Sequence, residues 1–179
     1  MRRGAGAVAT LLAWPVAWYI RRQRDSLINR ATALSADSKP RLHPYFAGSD
    51  LDRVRVFETD RQPLPALPFR RAARRIGLDV LDRSQIAAIT FDCVIAAQQP
   101  LRPRLLFHEL VHVVQFRLLG VTAFARLYTQ GFLATGSYAE IPLERCARDL
   151  ERRFDSDPSP FDVEAEVAAW IEADRYNCP

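Results

Sequence analysis

The chain has 179 residues, enough for one domain with a core of useful size, or one domain with an appendage. Its hydrophobic share (49%) and charged share (26%) exclude a disordered or fibrous chain. The net charge of +4 rests almost wholly on arginine, with Lys39 the sole lysine, and no nucleic-acid motif accompanies it, so no nucleic acid is expected as a partner.

Residues 4–20 carry no charge and lie between Arg2-Arg3 and Arg21-Arg22. A run this short is at the lower limit for a bilayer span. Arginines at both ends give no orientation signal. Trp14, Pro15, Trp18 and Tyr19 do not suit a small-residue cleavage site. Residues 1–30 therefore read as an N-terminal apolar and basic helix, docked on the domain or lying peripherally on a membrane. A true span and a cleaved signal are the alternatives.

Residues 31–179 read as the main domain. Residues 31–50 form a connector with a short helical turn, and His43 is a surface residue. In 51–58, Val54 and Val56 alternate with charges, which predicts a strand. Pro63, Pro65 and Pro68 impose an extended connector. The arginine-rich stretch 69–77 follows as a short basic helix or loop. Residues 86–97 predict a second strand with Ile89, Phe91, Cys93 and Ile95 on one face. Cys93, Cys146 and Cys178 are odd in number and widely spaced, so no disulfide framework is expected and a reducing compartment is favoured. Cys93 and Cys146 fall in apolar patterns and read as core residues.

Residues 103–119 predict a helix, with Pro103 in its first turn and Gly120 just past its end. It is apolar nearly all round, so it should be buried. Within it lies His108-Glu109-Leu110-Val111-His112. Positions four apart share a helix face, so both imidazoles can point at one spot and form half a tetrahedral zinc site. Glu109 can act as general base on a metal-activated water. Three buried polar groups in such a helix need partners, and a metal ion would satisfy all of them.

The stretch HELVHVVQF resembles the active helix of the zincin metallopeptidases. More narrowly it is similar to the HELTHVVQ-type helix of short bacterial zincin-like proteins, including the core domain associated with extracellular contractile injection systems. The similarity runs from about Ile89 to Phe154. It implies a small α+β zincin-like fold, a short sheet followed by the HExxH helix and further helices, with Zn2+ as cofactor. It also implies that the strand before the active helix edges the cleft and holds an extended peptide.

Catalytic zinc usually takes three protein ligands. No third histidine follows the motif, and Gln115 stands where the HExxHxxGxxH variant has glycine, so a downstream carboxylate remains, the gluzincin arrangement. Residues 121–135 predict a helix with Phe124, Leu127, Tyr128 and Phe132 on its apolar face. A further helix starts at Pro142 and carries Leu143, Cys146 or Ala147, Leu150 and Phe154 at helical spacing. The resemblance points to Glu144 on this helix, because related sequences carry a glutamate followed three residues on by alanine. Glu140 and Asp149 compete with it, and a surface Glu144 paired with Arg148 is the plain alternative. Tyr138, Tyr128 and Arg126 are the candidates to stabilise an oxyanion, with Tyr138 preferred for its place beside the ligand helix. Glu140 or Asp149 would orient a ligand histidine. Residues 161–173 predict a closing amphipathic helix, with Val163, Val167, Trp170 and Ile171 inward.

The expected function is zinc-dependent hydrolysis of a peptide or protein substrate, with His108, His112 and Glu144 on the metal and Glu109 and Tyr138 as catalytic groups. The alternative is a non-catalytic zinc-stabilised domain acting as an adaptor, or as a membrane-surface interaction protein. The location expected is cytoplasmic or inner-membrane-associated.

Overall fold

The computed structural model describes residues 2–59, 87–98, 101–157 and 159–177. The proline-rich connector, the arginine-rich stretch 69–77 and Cys178 lie outside them. The chain begins with helix α1 (Arg2–Leu27), then strand β1 (Thr32–Ala33) and the short helices α2 (Ser38–Leu42) and α3 (Gly48–Arg53). Strands β2 (Arg55–Thr59), β3 (Ala88–Phe91) and β4 (Val94–Gln98) come next. Helices α4 (Pro103–Leu119), α5 (Val121–Thr135), α6 (Pro142–Ser156) and α7 (Val163–Glu172) follow, with a 3-10 turn at Tyr138–Glu140.

The strands make one mixed sheet in the order β1-β2-β4-β3. Strand β2 runs parallel to β4, while β1 and β3 are antiparallel to their neighbours. The domain is α+β, with its small sheet falling in sequence between the long helix α1 and helices α4 to α7. Strand β3 lies at one edge of the sheet and packs against α4.

Two predicted strands differ from the observed ones. The strand expected at 51–58 starts only at Arg55, because 48–53 is helical. There Asp50 and Leu51 turn inward together, and Asp50 meets Arg117 of α4 with Nε–Oδ1 at 2.8 Å. The single strand expected at 86–97 is a hairpin. Phe91 pairs with Val94, so Asp92 and Cys93 form a two-residue loop, and Asp92 takes φ 59°. A positive φ at such a loop is what a tight hairpin needs, and aspartate tolerates it. Arg24 and Arg53 both pair with the Asp92 carboxylate, at 2.8 and 2.6 Å, so the turn is fixed from two sides.

Helix α4 is the axis of the core. Leu106 to Phe116 are all buried, as a helix without a polar face requires. Phe107 stacks on Phe154 of α6 at 4.3 Å between centroids and meets Tyr45 and Phe46 edge-on. Truncating such a fully buried ring costs roughly 3–5 kcal/mol. Gly120, at φ 75°, closes α4, and the chain turns by 116° into α5. Phe116 then stacks on Phe124 across that bend at 3.7 Å. Helix α6 packs along α4 through Leu143, Ala147 and Leu150, all buried. Helix α7 is capped by Asp162, whose Oδ1 accepts from the backbone N–H groups of Glu164 and Ala165. Cys93 and Cys146 are free and buried, and His43 is exposed at the end of α2.

Candidate metal centre

Helical spacing on α4 brings the two imidazoles together: His108 Nε2 and His112 Nε2 are 3.2 Å apart. Helix α6 crosses α4 at this level and brings in Glu144, whose Oε2 is 3.4 Å from His108 Nε2 and whose Oε1 is 3.5 Å from His112 Nε2. One ligand atom from each residue lies within 4.8 Å of the others, so this buried group can hold a metal ion. Exposures of 8% for His108, 5% for His112 and 2% for Glu144 place all three inside the protein.

Glu144 belongs to the interior because it sits in the first turn of α6, on the side that carries Leu143 and Ala147. It makes no surface pair with Arg148, which instead reaches the carbonyl of Ala139. Glu140 is exposed on the 3-10 turn, and Asp149 is exposed and pairs with Arg152. Tyr128 Oη donates to Glu144 Oε1 at 3.1 Å. Oε2 is fully buried and has no hydrogen-bond partner among the described residues. A buried carboxylate oxygen left so is costly without a positive partner, and it faces His108 Nε2, while Oε1 faces His112 Nε2.

Each histidine is gripped from behind. His108 Nδ1 meets Glu151 Oε2 at 3.0 Å, and Arg104 holds the other oxygen of Glu151. His112 Nδ1 meets Gln115 Oε1 at 2.8 Å, while Gln115 Nε2 donates to the carbonyl of Leu143 and to Tyr176 Oη. These contacts turn both Nε2 atoms toward Glu144. Glu140 and Asp149 do not orient a histidine; Glu151 and Gln115 do. Glu151 lies two helical turns beyond Glu144 on one face of α6, a spacing visible in the sequence.

The electrostatics follow from this packing. Burial alone would raise the Glu144 carboxyl, but the charge of His112 and the contacts with both histidines hold it well below the usual range. Burial disfavours a charged His108, yet Glu144 and Glu151 outweigh it and raise its pKa to about 10. Tyr128 and Tyr138 are pushed well above the ordinary tyrosine range by burial and by Glu144, so both stay neutral donors.

Glu109 is 4% exposed, and Thr90 of the edge strand donates to its Oε2 at 2.6 Å. Its charge is felt by both His108 and Tyr138. Tyr138 contacts Tyr128, with centroids 6.4 Å apart, and lies within the field of the Glu144 charge. Arg126 instead turns to Gln130 and lines a cavity between α1 and α5. No protein-family model, no curated protein and no solved structure matches this chain.

Proposed function

We propose that the protein is a zinc-dependent hydrolase of the gluzincin type, acting on a peptide bond, with His108, His112 and Glu144 as the metal ligands. The observation that carries this reading is the convergence of two oriented imidazoles on one buried carboxylate, one on each oxygen, whose Oε2 has no hydrogen-bond partner among the described residues. The spacing also fits the ion. Donors about 2.0–2.1 Å from a tetrahedral zinc stand roughly 3.3–3.4 Å from each other, against 3.2 and 3.4 Å between His108 Nε2 and its two neighbours. Two nitrogens and one carboxylate are an ordinary catalytic zinc donor set.

A zinc ion bound there would lower the pKa of a water and polarise a carbonyl. The chain's own groups do the rest. Glu109 takes the proton from the attacking water and passes it to the leaving amine. Thr90 holds the Glu109 carboxylate in place through its 2.6 Å hydrogen bond. The neutral phenol of Tyr138 donates to the oxygen that becomes negative as the carbonyl is attacked. Edge strand β3 beside α4 offers backbone groups to an extended peptide.

The burial of every ligand favours a second reading, a zinc-stabilised domain with no catalysis. A structural site has no use for a carboxylate at Glu109. Incubating zinc-loaded protein with a mixed peptide library separates the two. Cleavage by the wild type, absent with Glu109→Gln at equal zinc content, supports the hydrolase. No cleavage by either leaves the structural role.

A further inference from the structure

Helix α1 has two apolar faces. Ala9, Ala13, Ala17, Ile20 and Leu27 are buried on one, where α1 runs along α5. Its C-terminal half is fixed to the domain by Arg21 on Thr122 at 2.9 Å and Arg24 on Asp92 at 2.8 Å. The opposite face carries Leu11, Trp14 and Trp18, which are 75%, 68% and 55% exposed. Their spacing of three and then four places them in one stripe. With Leu12 beside them, these are the exposed large hydrophobic side chains among the described residues. Arg22 continues the stripe one turn beyond Trp18, and its guanidinium lies over the Trp18 ring at 5.4 Å.

Such a stripe is unusual on a surface facing only water. Tryptophan sits well at a bilayer interface, where its ring meets acyl chains and its N–H meets headgroups. The charge around it selects the membrane type. Residues 2–24 hold Arg2, Arg3, Arg21, Arg22 and Arg24 and no acidic residue. Among the described residues no single helix is long and apolar enough to cross a membrane. A helix already docked on one face can lie flat on a bilayer with the other face down, and nothing in the fold has to move.

We propose that α1 is an interfacial helix that seats the domain on an anionic membrane surface, with Leu11, Trp14 and Trp18 inserted and Arg22 among the headgroups. The interaction is independent of the metal centre, because α1 contributes no residue to it. Apolar insertion and headgroup attraction together give binding that salt weakens and that falls sharply on neutral lipid.

The test is sedimentation of the full chain with vesicles of phosphatidylcholine alone and of phosphatidylcholine mixed with phosphatidylglycerol. The wild type is expected to pellet with the mixed vesicles, with a blue shift in tryptophan emission, and at least about tenfold less with neutral ones. The triple variant L11S/W14S/W18S should lose that binding by a similar factor. Arg22→Glu, which leaves the apolar stripe intact, should weaken it several-fold. These side chains point outward, so helix content and metal content should match the wild type and show that the variants fold. Equal binding by the triple variant would overturn the proposal, as would no pelleting of the wild type with either vesicle. Concentration-dependent dimerisation abolished by the triple variant, without vesicle binding, would assign the stripe to a second copy of the chain instead.

Discussion

Thr90 Oγ1 stands 2.6 Å from Glu109 Oε2 and 3.2 Å from the Glu109 carbonyl, so the single hydroxyl proton on the edge strand has two acceptors on the proposed base and lies nearer the carboxylate. The shorter contact is the stronger, because a hydrogen bond to a carboxylate is charge-assisted. Thr90→Val keeps the shape and removes the donor. Metal content should be unchanged, and kcat should fall roughly ten- to a hundredfold, the worth of one hydrogen bond to a charged group. Steady-state kinetics on a cleaved peptide, beside a metal assay, reads both. An unchanged kcat would remove Thr90 from the mechanism.

Glu151 orients His108, and Arg104 orients Glu151. Glu151→Ala frees the imidazole to rotate and removes a partner that makes it a better ligand. Metal affinity should drop about 10- to 100-fold. Glu151→Gln, which still offers an oxygen to Nδ1, should recover part of it. A competition titration with a chelator of known affinity measures the difference.

A metal ion bound at this centre would compete with a proton for His108 Nε2. With the pKa of His108 raised to about 10, protein stripped of metal by a chelator carries this proton at neutral pH. Metal binding must displace it, so apparent affinity should climb as pH rises from about 6.5 toward about 10. The stripped protein should behave oppositely. A folded-state pKa above the unfolded value contributes stability that is full below about pH 6.5 and is lost as pH rises toward about 10. Thermal melts of the stripped and loaded protein across this range test both signs.

Gly131 is where α5 meets the start of α6. A Cβ there would lie 2.8 Å from Pro142 Cδ and 3.2 Å from Ile141 Cγ2. The proline ring cannot swing aside, so Gly131→Ala should push away the turn that carries Glu144. A loss of roughly 1–3 kcal/mol is expected, as for other overpacked sites, together with weaker metal binding. Melting temperature and chelator competition on one preparation check the pair. A stable variant with normal affinity would show that this contact does not set the position of α6.

Much of the fold was legible because local signals agreed. Pro103 and Gly120 bracket α4, which spans Pro103–Leu119, and Pro142 opens α6. The α+β class follows from strands ahead of an apolar helix run. The hairpin at Asp92 was hidden, because a polar residue in an apolar run looks like ordinary alternation, while its positive φ is a tertiary outcome held by Arg24 and Arg53. Helix α3 was hidden for a similar reason: Val54 and Val56 alternate, but the partner that draws Asp50 inward is Arg117, far away in sequence. At the centre, the histidine pair is local and readable. Glu144 entered through a resemblance, and Thr90 could not be found at all, since only the sheet brings it to Glu109. Gln115 was in view, three residues beyond His112, but its grip on that imidazole becomes apparent only once Leu143 and Tyr176 anchor the amide.

The most direct test of the metal centre is elemental analysis of the purified protein, wild type and Glu144→Ala together, prepared without chelator and offered zinc. The account predicts about one zinc per chain in the wild type and loss or sharp weakening in the variant, since two histidines alone do not make a stable site. No zinc in the wild type, or an equal amount held by both proteins, would contradict it.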